Sequence, residues 1–110
     1  MSFVVNEKSS FCLNVVLKNK VGEPLNPITK VEWWVSKPKD QIAYEKQILS
    51  DPTPEFTLII PAEANICDRR KDETRAVVVR VESGVEHVKH DVHPYTVRAF
   101  DTVPYPEVAP

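Results

Sequence analysis

Oily side chains recur at every second position along most of this chain, and that rhythm leaves few folds open. Phe11, Leu13, Val15 and Leu17 alternate with Cys12, Asn14, Val16 and Lys18. A strand sends successive side chains to opposite faces, so this spacing describes a strand with one buried face rather than a helix. Val31, Trp33 and Val35 repeat the pattern, as do Phe56, Leu58 and Ile60. Val77, Val79 and Val81 give its clearest instance, within a strand expected over 73–82. Ile42, Tyr44 and Ile48 outline a weaker strand, and Tyr95, Val97 and Ala99 a last short one.

Ten prolines stand against two glycines. Proline has no N–H to give a ladder and disrupts helix interiors, so it should mark connections. Gly22, Pro24 and Pro27 break the segment 21–27, Pro38 limits the second strand, Pro52 and Pro54 form a turn with Ser50 and Asp51, and Pro61 closes the run before it. The segment 62–68 is too short for a free helix but fits a single helical turn between strands. Ser83-Gly84, flanked by Val81 and Val85, predicts a tight hairpin whose polar return arm, 85–92, is interrupted by Pro94.

About seven short strands and one short helical turn result, with no crossover helices for a parallel sheet. The expected fold is all-β: an immunoglobulin-like antiparallel β-sandwich. Its core should draw on Phe11, Leu13, Val15, Trp33, Val35, Leu58, Val77, Val79 and Val81. A chain of 110 residues is one domain. Residues 1–100 are read as that domain, and 101–110, with Pro104, Pro106 and Pro110, as a flexible proline-rich C-terminal arm.

The order of segments resembles the small immunoglobulin-like structural proteins of tailed bacteriophages and prophages. The resemblance rests on Phe11-Cys12-Leu13-Asn14-Val15-Val16-Leu17, Gly22-Glu23-Pro24 with Pro27, and Val31-Glu32-Trp33-Trp34-Val35. It continues in Phe56-Thr57-Leu58-Ile59-Ile60-Pro61-Ala62 leading to Asn65-Ile66, then Arg75-Ala76-Val77-Val78-Val79 and Tyr95-Thr96-Val97. The most distinctive part is the Pro-Ala-x-x-Asn-Ile segment followed by the arginine-led valine strand. The resemblance implies a virion or tail-assembly role and brings no catalytic residues with it. Antibody-type domains match less well. They place a tryptophan between two strand cysteines, whereas Cys67 falls in the 62–68 connection.

The net charge of -2 gives no electrostatic reason for a nucleic-acid partner. No apolar run approaches the length needed to cross a bilayer, so no membrane partner is expected. Met1–Ser10 lacks a secretory layout, so cytoplasmic synthesis is expected, and the phage resemblance adds incorporation into a virion. Cys12 and Cys67 make no disulfide framework; a single bridge is available, but the missing export layout favours free thiols.

His87, His90 and His93 are spaced by three. On a strand His90 faces away from the other two, so metal convergence would need a tight turn, and Val88 and Val92 favour the strand. Asp51, Asp68, Asp72, Asp91 and Asp101 read as turn formers without calcium-loop spacing. No serine lies in a nucleophile motif, and Gly22 and Gly84 alone cannot make a phosphate loop. Arg69-Arg70-Lys71 is nearly balanced by Asp68, Asp72 and Glu73, as a solvated loop would be. No enzyme activity, cofactor or metal is therefore expected.

Trp33 and Trp34 are adjacent, so on a strand they face opposite ways. Trp33 shares its parity with Val31 and Val35 and should point inward. Trp34 should lie on the outer face, either covered by a loop or the terminal arm or used in an interface. Val16, Ile59 and Val78 also lie on second faces, and together with Trp34 they are expected to form an apolar assembly patch. Tyr105, between Pro104 and Pro106, is a further candidate for an extended contact alongside the N-terminal stretch. Protein partners or self-association follow. The rivals are a stand-alone binding or adhesion module using Tyr44, Trp34 and the loops, and a metal-dependent enzyme using the three histidines.

Overall fold

The structure, a computed structural model, describes residues 3–68, 71–84 and 87–99; for His87 only the backbone is described. The C-terminal arm, Tyr105, and Arg69 and Arg70 lie outside the described residues. Among the described residues there are seven strands: β1 (Phe3–Asn6), β2 (Phe11–Val16), β3 (Lys30–Lys37), β4 (Gln41–Ile48), β5 (Glu55–Ile60), β6 (Glu73–Ser83) and β7 (His87–Arg98). A 3₁₀ turn, Ala62–Ala64, lies between β5 and β6. One sheet has five strands in the order β1-β7-β6-β3-β4, and the other pairs β2 with β5. The fold is an immunoglobulin-like β-sandwich.

Alternation explains the layers. Val31, Trp33 and Val35 from β3 and Val77, Val79 and Val81 from β6 face inward and are buried. They pack against Val15, Leu17, Leu58 and Ile60 from the small-sheet side, with Phe11, Leu13 and Phe56 partly buried at the margin. Each fully buried aliphatic side chain contributes about 1.5–3 kcal/mol over leaving it in water. Gly84 turns the chain between β6 and β7 at φ +71, a left-handed conformation that a β-carbon disfavours.

Two expectations need correction. Pro94 does not interrupt the return arm: β7 runs unbroken from His87 to Arg98, with Pro94 opposite Ala76. β1 pairs only with Tyr95–Arg98, so at Pro94 one flank of β7 is unoccupied and can take the missing N–H without losing a ladder bond. The N-terminal stretch, read as a contact arm, is instead β1, laid parallel along β7. The count of seven thus stands with different members: one strand is gained at the N-terminus, and two expected strands merge into β7.

A buried polar pin closes one end of the sandwich. The Tyr95 hydroxyl donates to Asn65 Oδ1 at 2.7 Å, and Asn65 Nδ2 donates to the Ser9 carbonyl at 2.7 Å. The Lys8 N–H donates to the Asn65 carbonyl at 2.8 Å. Buried polar groups persist only when so satisfied. Burial pushes the Tyr95 hydroxyl well above its ordinary range, so it stays a donor. Phe3 and Phe11 pack on the Tyr95 ring, with centroids 5.4 and 5.0 Å away. Arg75, buried at the start of β6, donates from Nη2 to the Ile66 carbonyl at 2.9 Å. The Asn-Ile segment and the arginine-led strand are therefore two halves of one joint.

Candidate protein-contact surface

The outer face of the five-stranded sheet follows from strand register. On β3 the outward residues are Lys30, Glu32, Trp34 and Ser36, paired across to Glu82, Arg80, Val78 and Ala76 of β6. The same rows continue on β7 as Val88, His90, Val92 and Pro94. On β4, Ile48 lies opposite Glu32 and Ile42 opposite Ser36. Val4 of β1 lies beside Thr96. Val4, Ile42, Ile48, Val88 and Val92 are all exposed large aliphatics on this face; Val92 shares a row with the half-buried Trp34 and Val78, and Ile42 lies in the next row. Trp34 meets the His90 ring edge-on at 6.5 Å.

Half of this face is ionic. Glu32 is nearly buried and receives Lys46 at 2.8 Å, Arg80 at 3.1 Å and Lys30 at 3.4 Å. Arg80 also reaches Glu82 at 2.6 Å. The Lys46 hydrogen bond holds the Glu32 carboxyl below its usual range against the opposing effect of burial, and Lys30 adds to it. Three cations around one enclosed carboxylate keep it ionised, as such burial requires.

The expected single patch does not form. Trp34 and Val78 are direct cross-strand partners. Val16 and Ile59 lie on the outer face of the small sheet, across the core, opposite Glu55 and Cys12 respectively. Sequence reading placed Ile42, Tyr44 and Ile48 on one strand without separating their faces. Register shifts between Trp33 and Ser36 let Ile42 and Tyr44 face opposite ways. Tyr44 lies against Trp33 at 5.6 Å on the inner face, so it is not a free contact for an adhesion module. Val4, Val88 and Val92 were missed as surface candidates. Val4 stands one position off the buried Val5, whereas Val88 and Val92 are placed by register, opposite Glu82 and Val78.

His90 lies on the outer face and His93, opposite Val77, on the inner one, so these two cannot share an ion. Among the described residues no cluster of three metal-ligating side chains occurs. Cys12 is exposed on β2, whereas the Cys67 thiol points at the Val97 carbonyl, 3.9 Å away in the other sheet. Both are free. Burial, aided by the Glu7 and Glu73 charges, pushes the Cys67 thiol up to about 11. An open depression beside Lys37, Gln41 and Arg75 is crossed by ion pairs, Lys37–Asp68 at 2.9 Å and Arg75–Glu73 at 2.8 Å. Among the described residues no helix is long and apolar enough to cross a membrane.

No protein-family model matches the chain, and no curated protein does. Among solved structures it is similar to the crystal structure of the periplasmic chaperone SfaE, with a TM-score of 0.52 and 13% identity. The match covers 94% of this chain and 57% of that one, so this chain spans little more than half the neighbour's length. At that identity the likeness is one of fold, and it supports the immunoglobulin-like sandwich.

Proposed function

We propose that this chain is a non-enzymatic structural or assembly protein of a tailed phage or prophage, acting through protein contacts on the outer face of its five-stranded sheet. The observation that carries the contact surface is the row of Trp34, Val78 and Val92 on one side of one sheet, with Ile42 one row away. Scattered apolar residues are normal on a surface, but a contiguous set around a tryptophan marks a partner site. The phage setting rests on the segment string ending in the Asn65–Tyr95 and Arg75–Ile66 joint. The reading is tested in particles purified from the source cells. Mass spectrometry should find the chain in particles or assembly intermediates, and Trp34→Asp should remove it. Absence of the wild-type chain from both contradicts the proposal.

A further inference from the structure

We infer that the occupant of this face is a second copy of the chain, docked face to face about a two-fold axis parallel to the strands and midway between β3 and β6. This rests on the reading of that face as a contact surface and adds the identity of the partner.

Two identical sheets can face each other about a two-fold axis lying either along the strands or across them. An axis along the strands keeps each cross-strand row level with the same row of the other copy and exchanges β3 with β6. Lys30 then meets Glu82 of the second copy, Glu32 meets Arg80, Trp34 meets Val78 and Ser36 meets Ala76. Each of these meetings occurs twice. Both ionic rows are opposite in sign about the β3–β6 midline, so Lys30, Glu32, Arg80 and Glu82 each face an opposite charge. The outer columns follow: β7 exchanges with β4, which sets Pro94 over Ile42 and His90 over Ile48.

An axis across the strands inverts the rows instead. Centred on the same four rows, it would set Lys30–Glu82 on Ser36–Ala76 and Glu32–Arg80 on Trp34–Val78, which offer ions no partner charge. Of the two, the first arrangement is the one that sets the ionic rows of β3 and β6 against opposite charges, with the exposed Lys46 of β4 falling over Val92 at the margin. Side-chain exposure shows which pair does the work. Glu32 is only 4% exposed and already enclosed, whereas Lys30 is 43% and Glu82 34% exposed and within reach of a neighbour.

The area is sufficient for a modest dimer. The exchange overlaps four strands, β7, β6, β3 and β4, and at about 4.8 Å apart and about eight residues long they present a face of roughly 500 Å², or about 1,000 Å² over two copies. That falls in the range of weak, transient interfaces, which points to a reversible dimer rather than an obligate one.

Sedimentation equilibrium of the wild-type chain tests this. The mass should rise reversibly with concentration from 12.5 kDa to twice that value and stop there, because a two-fold interface is closed. Lys30→Glu makes its row all acidic and Glu82→Lys makes it all basic. Each variant should self-associate about tenfold more weakly, and an equimolar mixture of the two should recover the dimer. Circular dichroism melts establish that both variants are folded. Recovery on mixing excludes a merely intramolecular effect, since each variant keeps its own mismatched row. A wild-type chain that stays monomeric to about 1 mM overturns the inference, as does a mixture no tighter than either variant alone. If the dimer fails while Trp34→Asp still blocks particle incorporation, the contact surface stands and its occupant is a different protein.

Discussion

The two outer faces of this sandwich come from the same alternating code and differ in what surrounds each apolar side chain. On the small sheet, Ile59 lies across from Cys12, and Val16 across from Glu55, with Asn14 and Thr57 between them. Two strands give a narrow ribbon whose outward apolar residues stay isolated, and Ile59 is 68% exposed. On the large sheet, three adjacent strands put Trp34, Val78 and Val92 in one continuous row, bounded by an ion network centred on Glu32. The width of a sheet, not the hydrophobicity of any one residue, decides whether second-face residues add up to a surface.

The largest difference should appear on charging each face. Trp34→Asp should abolish self-association, about 100-fold or more, while Ile59→Asp leaves it unchanged. Sedimentation of both variants checks this, and equal effects would break the comparison. Next in size is the ion network. Glu32→Gln should lower Tm by several degrees because three cations lose their shared carboxylate. The matching change on the small face, Asn14→Ala, removes an exposed 3.2 Å contact to Glu55 and should stay within about 0.5 kcal/mol.

Glu32 also gives a signed pH dependence. Its folded pKa lies below the ordinary 4.5, so the unfolded chain binds the proton more readily. The stabilisation is therefore complete above the unfolded value and is lost as pH falls through the folded one. Thermal melts below pH 4.5 should fall more steeply for the wild type than for Glu32→Gln. The smallest effect concerns the thiols. Raising Cys67 from 9.0 to about 11 cuts its thiolate fraction about 100-fold. Alkylation near neutral pH should therefore fall on Cys12, and Cys12→Ser should remove nearly all rapid labelling.

Much of this was legible in the alternation. The class of fold, the inward choice of Trp33 over Trp34 and every named core valine follow from parity alone. Three things were not legible, each for a physical reason. β1 carries only Phe3, Val4 and Val5, too short a run for a period to register, and its docking depends on the Tyr95 ring and the β7 edge. Pro94 reads as a breaker unless the length of the neighbouring strand is known. The split of Val16 and Ile59 from Trp34 and Val78 depends on which strands share a sheet, and parity does not specify partners. The role of Asn65 likewise needed the hydroxyl of Tyr95, thirty positions on.

Methyl-resolved NMR over a dilution series bears most directly on the claim that the five-stranded face, and not the two-stranded one, is where the protein makes contact. The account predicts concentration-dependent shifts at Val78, Val92 and Ile42, with Val16 and Ile59 unmoved. Shifts confined to Val16 and Ile59 would contradict it.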